Sequence, residues 1–223
     1  LHLYIDAWGK EVTNPAESAA GTAIGEFNVP SGIEAIGGRV WVAEQSNHRV
    51  QVFSPGGTHQ ATYGSLVGIA GDGASLFSGP SDVTLGPSNE VFIADLINAR
   101  VSVWSGSTDT AVRRFGTLGP GDEQFRAPSG VAFDSEGILH VSESNGARVS
   151  MWEPGGVWVG NYDEVAGEPM DRPSRIEYVP ELDAMVILDG QTVRIHGLAE
   201  GSPNGNLTLI DGASESSFAG LCA

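Results

Sequence analysis

Cysteine is all but missing from this chain: Cys222 is the only one, so no internal disulfide can form. A large β domain needs no such staple, and the lack neither assigns nor excludes an extracellular site. Basic residues are also scarce. Lys and Arg total 11 against 28 Asp and Glu, giving a formal net charge of -17 at pH 7. Such a surface repels phosphate backbones, so no nucleic-acid partner is expected. It suits cationic partners, metal ions or a saline exterior, and the expected location is extracellular or envelope-facing. No apolar run approaches the length of a transmembrane helix. No signal peptide is visible, and a start at Leu1 reads as a processed product or an excised segment.

Glycine and repetition are what the chain has in quantity. There are 31 Gly in 223 residues, with 40% hydrophobic and 17% charged residues, which suits many short strands joined by tight turns. Phe27, Phe77, Phe125 and Met170 each stand three residues before a proline, at Pro30, Pro80, Pro128 and Pro173. These prolines are 50, 48 and 45 residues apart, and each is followed by serine (Ser31, Ser81, Ser129, Ser174). A carboxylate closes an apolar run in every copy, at Glu44, Asp95, Glu143 and Asp189. A period in the forties predicts a propeller or an array.

The clearest copy gives the unit. Gly32–Ile36 reads as an inner strand entered through Pro30, which cannot donate to a ladder and belongs at a strand start. Arg39–Glu44, Arg49–Phe53 and His59–Tyr63 follow as three more strands, separated by Gly37-Gly38, Gln45–His48 and Pro55-Gly56-Gly57. Four antiparallel strands per repeat is a propeller blade. Three further copies follow, the last tightened by a turn at Asp189-Gly190. Asn47-His48-Arg49-Val50-Gln51-Val52-Phe53 resembles the NHL repeat, a β-propeller family, and Asn98-Ala99-Arg100 and Asn145-Gly146-Ala147-Arg148 are looser versions. The resemblance covers nearly the whole chain and implies an all-β propeller of four-stranded antiparallel blades.

Blades are expected at about 25–70, 71–118, 119–166 and 167–212. Phe218 lies 48 residues after Met170 and opens a new blade, although Leu221 stands where its proline belongs. Leu1–Tyr4 fits a third strand, so 1–24 and 213–223 together form a split fifth blade. The expected fold is four whole blades plus this split one, as an incomplete five-bladed ring or a fragment of a six-bladed one.

Most recurring polar residues have a structural explanation. Glu44/Arg49, Asp95/Arg100 and Glu143/Arg148 are acid–base pairs five residues apart, expected to pin hairpins, and worth about 0–1 kcal/mol each where exposed. The resemblance also implies a zinc possibility, because NHL-type amidating lyases hold zinc with histidines at the channel mouth. Here His48, His59 and His140 fall at different radii of the disc, and no histidine pair shares a short ligand spacing, so no zinc site is expected. Trp41, Trp104, Trp152 and Tyr4 are expected in the core, whereas Trp8 and Trp158 break phase and are candidates for exposed contacts.

Two sets of residues are left to argue function from. Loops entering the inner strands and turns between second and third strands share one face, which would present Gln45, His48, Asp72, Leu96, Asn98, Asp122, Arg126 and Asn145 to a ligand. On the inner strands Glu34, Thr84, Ala132 and Glu177 occupy one repeat position, and two glutamates near the axis of an acidic disc are costly unless hydrated, paired or metal-bound. Glu34 and Glu177 should face the axis from different sides. With Asp82 at the mouth they are the candidates for holding calcium or a basic partner group, while no cofactor is otherwise expected. The expected function is a non-enzymatic recognition or scaffold module binding a protein or small ligand on one face. The alternative is a metal-dependent lyase or hydrolase at the channel mouth.

Overall fold

The computed structural model describes residues 21–198 and the strand at 205–208. Four antiparallel sheets of four strands are present, each a meander in chain order. Blade 1 comprises β1 (Pro30–Ile36), β2 (Arg39–Glu44), β3 (Arg49–Phe53) and β4 (His59–Gly64). Blade 2 comprises β5 (Pro80–Leu85), β6 (Glu90–Asp95), β7 (Arg100–Ser105) and β8 (Ala111–Phe115). The next link holds a short parallel pair, β9 (Thr117–Leu118) with β10 (Gln124–Phe125). Blade 3 comprises β11 (Pro128–Phe133), β12 (Leu139–Glu143), β13 (Arg148–Trp152) and β14 (Trp158–Tyr162). A small hairpin of β15 (Glu164–Val165) and β16 (Glu168–Pro169) precedes blade 4, which comprises β17 (Pro173–Val179), β18 (Ala184–Asp189), β19 (Thr192–Gly197) and β20 (Gly205–Thr208). Neighbouring inner strands pack side by side, making a four-bladed β-propeller arrangement. The expected split blade, with Leu1, His2, Tyr4, Trp8, Phe218 and Cys222, falls almost wholly outside the described residues.

Each blade is apolar on both faces, which is why its second strand reads as a continuous apolar run. Val91 and Ile93 face blade 1, whereas Phe92 and Ala94 face blade 3. The Phe-x-x-Pro residues seal the seams in front of their blades: Phe77, Phe125 and Met170 are buried there. Aromatic contacts fill the same seams, Tyr63 stacking on Trp104 at 5.0 Å and Phe115 meeting Trp152 at 5.0 Å. Trp41, Trp104 and Trp152 are buried as expected. Trp158 is not the free contact its phase implied; it packs against the core between blades 2 and 3, with Nε1 donating to Asn161 Oδ1 at 3.2 Å.

The repeated Pro-Ser has a specific geometry. In all four blades the register between first and second strands slips between the proline and the residue two later, which makes the serine the extra residue of a β-bulge. Two of these serines reach the neighbouring inner strand, Ser31 Oγ donating to Pro80 O at 3.3 Å and Ser81 Oγ to Pro128 O at 3.1 Å.

The acid–base pairs are buried, not exposed, and there is a fourth. Arg49 Nε meets Glu44 at 2.6 Å, Arg100 meets Asp95 at 2.7 Å, Arg148 meets Glu143 at 2.8 Å and Arg194 meets Asp189 at 2.5 Å. They do more than pin hairpins. The remaining guanidinium nitrogens of Arg100 donate to the carbonyls of Asp72, Gly73 and Leu76, and those of Arg148 to Pro120, Gly121 and Gln124. From the other side the carboxylates accept loop amides, Asp95 from Ser78 and Glu143 from Arg126. Each pair therefore fastens the loop entering its blade to the turn between second and third strands.

Candidate functional site

These clamps build one face of the disc, here called upper, from the entry loops and the turns between second and third strands. Backbone bonds tie the two sets together: Gln45 N donates to Val29 O at 3.0 Å and Asn145 N to Arg126 O at 3.2 Å. All eight residues expected on this face belong to these loops, but they divide in two. Asp72, Asp122, Arg126 and Asn145 are exposed, whereas Gln45, His48, Leu96 and Asn98 are half-buried. His48 Nδ1 accepts from Gly79 N at 3.0 Å, and Asn98 Nδ2 donates to Gly71 O and Asp95 Oδ2, so both serve the architecture. The carbonyl oxygens of Asp72 and Gly73 are turned onto a cation, the guanidinium of Arg100.

Sequence reasoning missed the apolar part of this face. Leu66, Val67 and Ile69, in the link after β4, and Ile97, in the β6–β7 turn, are 63–70% exposed. The 65–71 link lies between repeat motifs and carries no periodic signal; its cluster of large aliphatics in a loop was the available sign. On the same face a cleft of about 580 Å³ opens between blades 3 and 4, lined by Ser144, Asp171, Arg172 and Gln191 among others.

At the axis, one of the carboxylates identified in the sequence, Asp82, meets an arginine that was not. Arg175 Nη1 lies 2.6 Å from Asp82 Oδ1 and also donates to Ser31 O at 2.9 Å, while Asp82 Oδ2 accepts from Val131 N at 3.0 Å. One ion pair thus joins inner strands from all four blades. The residues two after each proline are Gly32, Asp82, Gly130 and Arg175, an alternation that signals the pair. Added Cβ atoms at Gly32 and Gly130 would come within 2.6 Å of Asp82 Cα and 2.8 Å of Ser174 O. Burial pushes Asp82 up to about 7, against the pull of Arg175 and the Val131 amide. Burial, with repulsion from Glu177, also raises Glu34. Among the described residues, no three of His, Cys, Asp and Glu converge as a metal-binding group.

The histidines do not all lie apart. His140, on β12, and His196, on β19, line one cavity of about 310 Å³ on the lower face, between blades 3 and 4. His140 Nε2 is 3.0 Å from Asp134 Oδ2 and Nδ1 is 3.2 Å from the Tyr162 hydroxyl, while His196 stacks on the Tyr162 ring at 4.1 Å. Their spacing in sequence is long, and only the packing of adjacent blades brings them together.

Comparison with known proteins agrees with this architecture. Residues 27–53 match the family model of the NHL repeat. No curated protein sequence matches the chain. Among solved structures, a catalytically inactive virginiamycin B lyase from Staphylococcus aureus with quinupristin is similar at 16% identity, over 81% of this chain and 55% of that one, with a TM-score of 0.56. U3-55K is similar at 15% identity, over 82% and 52%, with a TM-score of 0.60. Hydrazine synthase of Kuenenia stuttgartiensis is similar at 14% identity, over 89% and 53%, with a TM-score of 0.60. The chain spans about half the length of these proteins. At such identities the likeness concerns the fold alone.

Proposed function

We propose that this chain, a β-propeller carrying an NHL repeat, is a non-enzymatic recognition module that binds a protein on its upper face. The observation that carries this reading is the exposure of Leu66, Val67 and Ile69, in the link that precedes the loop clamped by Arg100, and of Ile97, in the β6–β7 turn. Large exposed apolar side chains rimmed by polar ones mark protein contact surfaces. Asp72, Asp122 and Asp171 are exposed on this face together with Arg126 and Arg172, so the partner presents an apolar centre within a polar border of both signs. The competing reading, a metal-dependent lyase or hydrolase at the channel mouth, has less support, because the Asp82 carboxylate is already engaged by Arg175. Relatives of the fold include both enzymes and repeat modules, so fold alone does not choose between them.

Site-specific photo-crosslinking tests the proposal. Crosslinkers at Ile97 and Asn145 should trap one and the same partner, those in the lower-face turn at Gly155 should not, and Val67→Asp with Leu66→Asp should abolish the adduct. Equal trapping from both faces, or adducts that survive the double substitution, would overturn it.

A further inference from the structure

The lower end of the seam between blades 3 and 4 departs from the repeat at three positions at once. Where β12 carries His140, the other second strands carry Trp41, Phe92 and Val186. Where Tyr63 stacks on Trp104, the matching Tyr162 stacks on His196. Asp134 stands where the other blades have Ile36, Gly86 and Val179. An apolar seam needs none of these groups, and burying them costs free energy unless each is bonded.

Two of the three are bonded to each other. Asp134 accepts from His140 Nε2–H and from the amides of Glu136 and Ile138, which leaves His140 Nδ1 to accept the Tyr162 hydroxyl. His196 is different. Its ring leans on Tyr162 and lines the cavity, yet its nitrogens make no hydrogen bond among the described residues.

We propose that this cavity binds a small organic cation, an alkylammonium or guanidinium group on an apolar stem. Ile138, Met151, Val159 and Leu198 offer the stem an apolar lining. Glu136 and Asp183 border the cavity, and among the described residues no Lys or Arg lines it, so an anion would find carboxylates and no cationic side chain to offset them. Burial and the neighbouring His140 hold His196 below the usual imidazole range, so at neutral pH it presents a lone pair to an N–H donor. The cavity is on the opposite face from the proposed protein-binding surface, so the two readings fail separately.

The test is a titration of the full chain at pH 7.5, followed through the histidine ring resonances, with n-butylamine, butanol and butyrate as probes of equal length. Butylammonium should shift His196 and His140 saturably and at least tenfold more tightly than butanol, with no saturable shift from butyrate. His196→Phe keeps an aromatic ring against Tyr162 and should weaken butylammonium at least tenfold without changing the melting temperature. Should that variant fold poorly, the surface change Glu136→Gln carries the test and should weaken binding several-fold. Agmatine and Nα-acetyl-lysine amide separate the sources: tighter agmatine marks a free amine, and the tighter lysine derivative marks a basic side chain. Equal affinity for butanol and butylamine, or unchanged binding in both variants, would overturn the site.

Discussion

Arg100 works as a cation built into a loop. Its Nε meets Asp95, its other nitrogens hold three carbonyls of the entry loop, and the group is almost completely buried. Removing one partner of such a pair strands a buried charge, at a cost of about 3–5 kcal/mol. Arg100→Ala should therefore lose stability on that order in urea denaturation, far more than the surface value the spacing alone implies. Arg100→Lys should recover little, because one ammonium cannot reproduce a fork that reaches the carboxylate and three carbonyls. A loss below about 1 kcal/mol in Arg100→Ala would return the pair to surface status.

At the scale of the strand, the bulge after each proline decides what fits at the axis. Gly130→Ala should cost about 1–3 kcal/mol by overpacking, since its Cβ would press on the Ser174 carbonyl. Gly155→Ala is the control: its Cβ would meet nothing within 4 Å and its φ is not positive, so stability should hold or rise by about 0.4–1 kcal/mol. Equal losses in the two variants would mean that the bulge is free to relax. The blades themselves were legible in the sequence because each strand's pattern is local, and Pro-Ser, the closing acid and Asn-x-Arg keep phase. What escaped was contact between copies. Arg194 was not paired with Asp189, although the spacing is the same five residues, because a two-residue turn makes Thr192 rather than Arg194 the cross-strand partner. Arg175 was passed over as an ordinary strand residue, since nothing local says that it meets Asp82, 93 residues earlier, across an axis. The histidine cavity escaped for the same reason. The upper-face residues were placed on the correct loops, but which of them face solvent depends on hydrogen bonds that the sequence does not display.

At the scale of the whole molecule, the four described inner strands meet at one ion pair within a strongly acidic chain. Its charge of -17 opposes counterion-releasing contacts, so single-stranded RNA should show no retention at physiological salt; salt-sensitive micromolar binding would contradict this. The ion pair makes a second, pH-dependent prediction. Burial raises the Asp82 carboxyl from 3.8 to about 7, so the folded state holds this proton more tightly than the unfolded chain does. Between about pH 4 and pH 7 the unfolded chain therefore binds fewer protons at this site, and the contribution of Asp82 to stability falls as pH rises, levelling off above pH 7. Glu34, raised in the same way, adds a slope of the same sign, and His196, lowered by burial, adds an opposite one. Asp82→Asn keeps an acceptor for the Val131 amide but cannot titrate, so comparing it with the parent cancels the slopes of the other titrating groups. Urea midpoints at pH 5 and pH 7.5 should show the parent losing stability relative to the variant as pH rises. A difference that is the same at both values would mean that Arg175 keeps Asp82 ionised throughout, and that the pair joining the four blades is indifferent to pH.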